Sequence, residues 1–128
     1  MEGEIKVWGI NRELWRHNCC EAHILNLSPS NGNPVCCSTH SHAVKQNLFY
    51  VFSGRVFIIA DGHVSNLTAG QSITIKPGQV HQFLTDQESI VLEIVWAESI
   101  TEDINRVTSG KEMTKEEFEA AVLHAVAK

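Results

Sequence analysis

For most of its length the chain alternates short β-branched or aromatic runs with turn signals, and a helical period appears only near its end. The runs predict strands over 5–8, 14–16, 22–27, 34–42, 48–52, 55–60, 63–67, 71–75, 81–84 and 89–96. So many short strands imply an all-β barrel or sandwich. Asp61-Gly62, between VFIIA and HVSNL, predicts a type I′ hairpin, because both turn positions of that type need positive φ. Ser53-Gly54 predicts a similar join between the two preceding strands, which makes the middle of the chain a meander of hairpins. Gly70, Pro77-Gly78 and Asn31-Gly32-Asn33-Pro34 punctuate the rest, with no repeat of fixed period.

The last segment changes period. Thr114 followed by Glu117 forms a capping box, with Met113 and Phe118 placed to staple it. Phe118, Ala121, Val122 and Ala125 then fall at i, i+3, i+4 and i+7 and make one apolar stripe. That stripe needs cover, from the protein's own barrel or from a second subunit. The expected organisation is a barrel over 1–109 and an amphipathic helical segment over 110–128.

Composition narrows the function classes. A chain of 128 residues with 43% hydrophobic content fits one domain with a real core. No run approaches the roughly 18 to 20 apolar residues of a bilayer span, and the start MEGEIK lacks the basic and apolar regions of a secretory signal. A cytoplasmic location is the expectation. Ten basic against fifteen acidic residues give a charge of −5, so no net positive field favours nucleic acid or an anionic membrane. The cysteines form two vicinal pairs, Cys19-Cys20 and Cys36-Cys37, which are poorly spaced for a disulfide within a pair or for a four-thiolate zinc site. Free thiols follow.

The candidate chemistry lies in the histidines. His40 and His42, one residue apart in a predicted strand, project from the same face about 7 Å apart along the chain. His81 opens another strand just after Pro77-Gly78, where a tight turn can aim it at the first two. Three imidazoles converging in a barrel mouth suit zinc, iron, nickel, copper or manganese. His17, His23, His63 and His124 have no such pattern, and His63 and His124 read as surface residues.

At these positions the sequence resembles the cupin superfamily, whose motifs read G(X)5HXH(X)3-4E(X)6G and G(X)5PXG(X)2H(X)3N. Gly70, Pro77-Gly78 and His81 reproduce the spacing of the second motif, with Lys76 and Thr85 in place of its proline and asparagine. His40, His42 and Gly54 are in register with the first, but Asn47 stands where the family has its glutamate ligand, and Gly32 is shifted by two residues. The resemblance implies a double-stranded β-helix, a jelly-roll-like barrel, with a short C-terminal helix added. The flanks look most like the small barrel of type II mannose-6-phosphate isomerases. They include Lys6-Val7-Trp8-Gly9 with Glu13, the run from Phe49 to Gly54, the run from Glu93 to Glu98, and Glu102-Asp103-Ile104-Asn105-Arg106.

Asn47 in place of a carboxylate leaves a neutral donor set, so a divalent ion keeps its full +2 charge and favours a substrate that brings negative charge. The Asn47 amide oxygen can complete the ligand set, whereas strand alternation turns Gln46 away. The same alternation turns Asn47, Phe49 and Val51 inward with Ser38 and Cys36, the latter as a small buried filler. Glu93 sits between Val91 and Val95 on a largely apolar strand face, so it either pairs with a cation or has a raised pKa suited to acid–base work. Lys45, Arg55 and Lys76 are scattered and make no phosphate clamp in sequence.

Three functions follow. The first is a metal-dependent sugar or sugar-phosphate isomerase or epimerase with His40, His42 and His81 on the ion and Glu93 moving the proton. The second is a three-histidine non-haem iron dioxygenase, and the third is a non-catalytic small-molecule-binding cupin. Each implies a small, anionic ligand. An N-terminal edge strand suited to crossing between copies adds the expectation of a homodimer.

Overall fold

A computed structural model describes residues 3–97, 104–124 and 126–127. Among these residues it shows two facing sheets, antiparallel except for one parallel pair at the edge of the second, and one helix, the all-β architecture with a C-terminal helix that the pattern predicts. The first sheet has the strand order β1 (Glu4–Lys6), β2 (Gly9–His17), β3 (Cys20–Leu27), β11 (Ser89–Trp96), β6 (Gln46–Ser53) and β9 (Ser72–Ile75). The second has the order β12 (Asn105–Arg106), β5 (His40–Ser41), β10 (His81–Thr85), β7 (Arg55–Ala60), β8 (His63–Thr68) and β14 (Val126–Ala127). β4 (Val35–Cys36) also pairs with β10, and β13 (Lys111–Glu112) pairs with β4.

The inward faces follow strand alternation. Leu25 and Leu27 of β3 meet Val91 of β11 and Phe49 and Val51 of β6 from one side, and Val56 and Ile58 of β7 with Phe83 of β10 from the other. At one end of the barrel polar residues of these strands, among them Asn47 and Glu93, line a cavity. The Asp61-Gly62 hairpin between β7 and β8 forms as expected, with φ of 48° and 80° at its two residues.

Two expectations change. β6 and β7 belong to different sheets, so Ser53-Gly54 is a crossing between sheets and the middle of the chain is not a meander of hairpins. Gly54 is required there for a different reason: its φ is 85°, and a Cβ would fall 2.4 Å from the Glu88 carbonyl oxygen. The predicted strand 34–42 is also split into β4 and β5. Val35 and Cys37 face the barrel core while Cys36 points out to the second cluster with Leu84 and Phe57. The irregular residues between the two strands then shift the parity, so that His40 and His42 face inward.

The helix, α1 (Lys115–His124), starts after the reciprocal Thr114–Glu117 box, in which Glu117 N–H donates to Thr114 Oγ1 at 3.1 Å and Thr114 N–H to Glu117 Oε1 at 3.2 Å. Phe118 packs edge-on against Phe57 with ring centroids 5.5 Å apart, beside Met113, so the stripe lies on the outer side of the protein's own second sheet. Ala125 lies outside the described residues.

Candidate metal centre

His40 and His81 are direct partners across the β5–β10 ladder, which puts their side chains on the same face. The turn before β10 is tied to the other arm of the cluster: Gly78, with φ of 84°, donates its N–H to the His42 carbonyl at 2.8 Å. The three rings converge, with centroids 4.4 Å apart for His40 and His81, 5.0 Å for His40 and His42, and 5.5 Å for His42 and His81. One ligating atom from each lies within 4.8 Å of the others, close enough for a single ion.

Hydrogen bonds set which nitrogen faces the cluster. His40 Nδ1 donates to the Ser38 carbonyl at 2.7 Å, and His81 Nδ1 donates to the Gln79 carbonyl at 3.0 Å. Both rings therefore present Nε2, the arrangement in which backbone carbonyls orient metal-binding imidazoles. Burial, reinforced by repulsion from His81, pushes the His40 pKa down to about 3. Burial lowers that of His81 as well. The pair is therefore neutral at ordinary pH, the state that binds metal.

Two buried atoms test whether an ion fits. His81 Nε2 and Asn47 Oδ1 have no hydrogen-bond partner, although both residues are 2% exposed. Orphaned buried polar atoms are rare in native proteins because each forfeits its hydration. A cation beside three imidazoles and an amide oxygen would satisfy both, so the donor set suits a divalent transition metal.

Glu93 shares this cavity. Its carboxylate accepts a hydrogen bond of 2.7 Å from Asn47 Nδ2, which leaves the Asn47 oxygen as the orphan. This contact gives a physical reason for asparagine at the motif's glutamate position, since a carboxylate there would face Glu93 without a donor between them. Burial raises the Glu93 pKa, opposed by the Asn47 hydrogen bond and by His23 and His42 nearby.

The cavity has a volume of about 480 Å³ and holds His40, His42, Asn47 and Glu93 together with Cys37, Phe49 and Phe83. Cys37 is the cysteine that lines it, not Cys36, because of the parity shift after β4. Its thiol is inert, since burial pushes the pKa up and its sulfur accepts the Phe83 N–H at 3.2 Å. His63 and His124 are exposed, and Lys76 and Arg55 lie away from the cavity.

The far wall carries residues that the histidine pattern passes over. His23 lies opposite Glu93 in the β3–β11 ladder, with Nε2 3.1 Å from Glu21 Oε1 and Nδ1 2.9 Å from Asn11 Oδ1. Glu21, 6% exposed, is bridged by Arg16 to Glu13. The signal was alternation: with Leu25 and Leu27 in the core, His23 and Glu21 must face the same way. Glu13, Glu21 and His23 also lie within chelating distance, but the Arg16 guanidinium already bridges the two carboxylates and offsets one of their charges.

Comparison with known proteins agrees with this architecture. A protein-family model described as "Cupin domain" matches residues 29–98. No curated protein matches. Among solved structures, KdgF from Halomonas sp. superposes with a TM-score of 0.67 at 12% identity, covering 76% of this chain and 86% of that one. A conserved protein with a double-stranded β-helix domain from Klebsiella pneumoniae gives 0.62 at 22% identity, covering 76% and 82%. Oxalate decarboxylase from Bacillus subtilis gives 0.67 at 14% identity, covering 83% of this chain and 30% of its own. At these identities the structures establish the fold, and the family match spans more than half of the chain: it belongs to the cupin domain family.

Proposed function

We propose that the protein is a metal-dependent enzyme that moves a proton on carbon next to a carbonyl, an isomerase or epimerase acting on a small anionic hydroxy-carbonyl compound. The observation that carries this reading is the enclosed Glu93 carboxylate beside the three-imidazole cluster, oriented by Asn47. The resemblance of the flanks to the small barrel of type II mannose-6-phosphate isomerases supports it. His40, His42 and His81, with the Asn47 oxygen, would hold a divalent ion, and such an ion acts as a Lewis acid on a bound carbonyl oxygen.

The residues then divide the work. Glu93, raised in pKa by burial, is the group able to take and return a carbon-bound proton. Asn47 fixes the carboxylate by its 2.7 Å hydrogen bond and keeps one oxygen of Glu93 occupied while the other stays available. Phe49, Phe83 and Val95 exclude water from that wall.

Exchange of a substrate α-proton with deuterated water, followed by NMR over a panel of aldoses, ketoses and their acids, tests the reading. Wild type should exchange at least one compound, and Glu93→Gln should lower the rate at least ~100-fold, the usual range for loss of a general base. A panel without exchange, on metal-loaded protein, would reject it. The neutral donor set also favours a second reading, a three-histidine iron dioxygenase. Substrate-dependent oxygen uptake by iron-loaded protein would select that alternative.

A further inference from the structure

We infer that Lys6, Lys45 and Arg106 form a carboxylate-binding rim, which seats a small hydroxy or oxo acid with its carboxylate at Arg106 and its oxygen-bearing carbon toward the histidine cluster. The inference rests on the reading of that cluster as the reacting end of the cavity. The three cations are far apart in sequence, on β1, on the loop before β6 and on β12, yet all line one cavity. The charged side chains of the cavity are graded. Arg106 is exposed and Lys6 and Lys45 are partly exposed, Lys6 being paired at 2.6 Å with Glu4, which does not line the cavity, whereas Glu21 is buried and held by Arg16, and Glu93 is held by Asn47. A mouth lined by cations over a floor whose carboxylates are already engaged draws in an anion and turns its charged end outward.

Arg106 sets the spacing. It stands opposite His40 in the β12–β5 pair, and its Nη1 donates to Ser38 Oγ at 2.6 Å. That oxygen is 3.0 Å from His40 Nδ1, so the guanidinium lies two hydrogen-bond lengths from the ring of a candidate ligand. An acid group at Arg106 and an oxygen at the Nε2 side of His40 are then separated by the width of the imidazole ring as well, which fits a hydroxyl or carbonyl several carbons from a carboxylate. A carboxylate fits better than a phosphate. None of the described positive-φ residues lines the cavity, and no residue of the first helical turn does, so the backbone nest or helix end that usually cradles phosphate is missing among the described residues. Recognition falls to side chains, and the planar guanidinium fork matches a carboxylate.

Three compounds that differ only at C1 test this by calorimetry on the full chain: D-gluconate, D-glucitol and D-glucitol 1-phosphate. D-gluconate should bind at least tenfold more tightly than either of the others. Arg106→Gln should remove that preference, and Arg106→Lys should recover part of it. Lys45→Gln, on a separate loop, should weaken D-gluconate at least threefold, with circular dichroism reporting that each variant is folded. Equal binding of D-gluconate and D-glucitol, tighter binding of the phosphate, or an unchanged preference in Arg106→Gln would each overturn the rim. Metal content is read in parallel. An acid preference in protein that takes up no metal would support the rim and reject the metal reading, whereas full metal occupancy without that preference would reject the rim alone.

Discussion

Asn47→Asp swaps one buried atom group and leaves the volume nearly unchanged, so its effect isolates the Asn47–Glu93 contact. The 2.7 Å bond is lost, and a hydrogen bond to a charged acceptor contributes about 1.5 to 3 kcal/mol. Two carboxylates at similar separation repel by about 4 kcal/mol at an effective dielectric of 20. Proton uptake caps the total, because a shared proton restores a hydrogen bond between the two groups and keeping an ordinary carboxyl protonated at pH 8 costs about 5 kcal/mol. We expect metal-free Asn47→Asp to be less stable than wild type by roughly 4 to 5 kcal/mol at pH 8. The sign of the pH dependence follows from linkage. The shared proton raises the pair's folded pKa above its unfolded value, so the penalty is small in acid and grows as pH rises through the raised value. Urea unfolding at pH 5, 6, 7 and 8 measures this, with Asn47→Ala as the control that loses the donor without adding charge. A penalty below about 0.5 kcal/mol at pH 8, or one that does not change with pH, would refute the argument, since it would fall within the scatter of surface substitutions.

Other consequences are independent of that pair. His40, pushed down to about 3 from an unfolded value near 6.5, contributes stability that is complete above 6.5 and is lost as pH falls toward 3. Thermal melts of metal-free protein should therefore fall between pH 7 and 4, and a flat profile would contradict the burial of a neutral imidazole. Phe118→Ala removes the ring that seats the helix on Phe57 and should cost about 3 to 5 kcal/mol in chemical denaturation. A loss under about 1 kcal/mol would mean that the helix does not depend on that contact. β1 leaves an open sheet edge with Ile5 84% and Val7 51% exposed, which is the geometry of pairing with a second copy. Light scattering after size exclusion should give a dimer mass, and a monomer mass would remove that proposal.

What could be read from the chain alone depended on how local the signal was. The histidine triad was legible because His40 and His42 are fixed by strand alternation and His81 by the Pro77-Gly78 turn, all over short spans. The Asp61-Gly62 hairpin was legible because positive φ at two adjacent residues has few other uses. Gly54 was misread because a glycine at a sheet crossing and a glycine in a hairpin leave the same mark, and only the strand pairing separates them. Cys36 was placed inward because alternation was carried through residues where the strand is broken. His23 and Glu21 share a strand face with Leu25 and Leu27 by the same alternation, but His23 has no second histidine two residues away to mark it. Lys6, Lys45 and Arg106 could not be grouped in advance, because nothing in the sequence says that three distant strands and loops share one rim.

The central claim is that His40, His42 and His81 hold a metal ion. Metal content by plasma mass spectrometry, on protein purified without a histidine tag and then offered iron, zinc, nickel and manganese in turn, tests it directly. The account predicts about one equivalent of metal in wild type, lost in both His40→Ala and His81→Ala, as expected when one of three protein ligands is removed. Wild-type protein that takes up none of the four ions would contradict it and leave the histidines as the polar lining of a binding cavity.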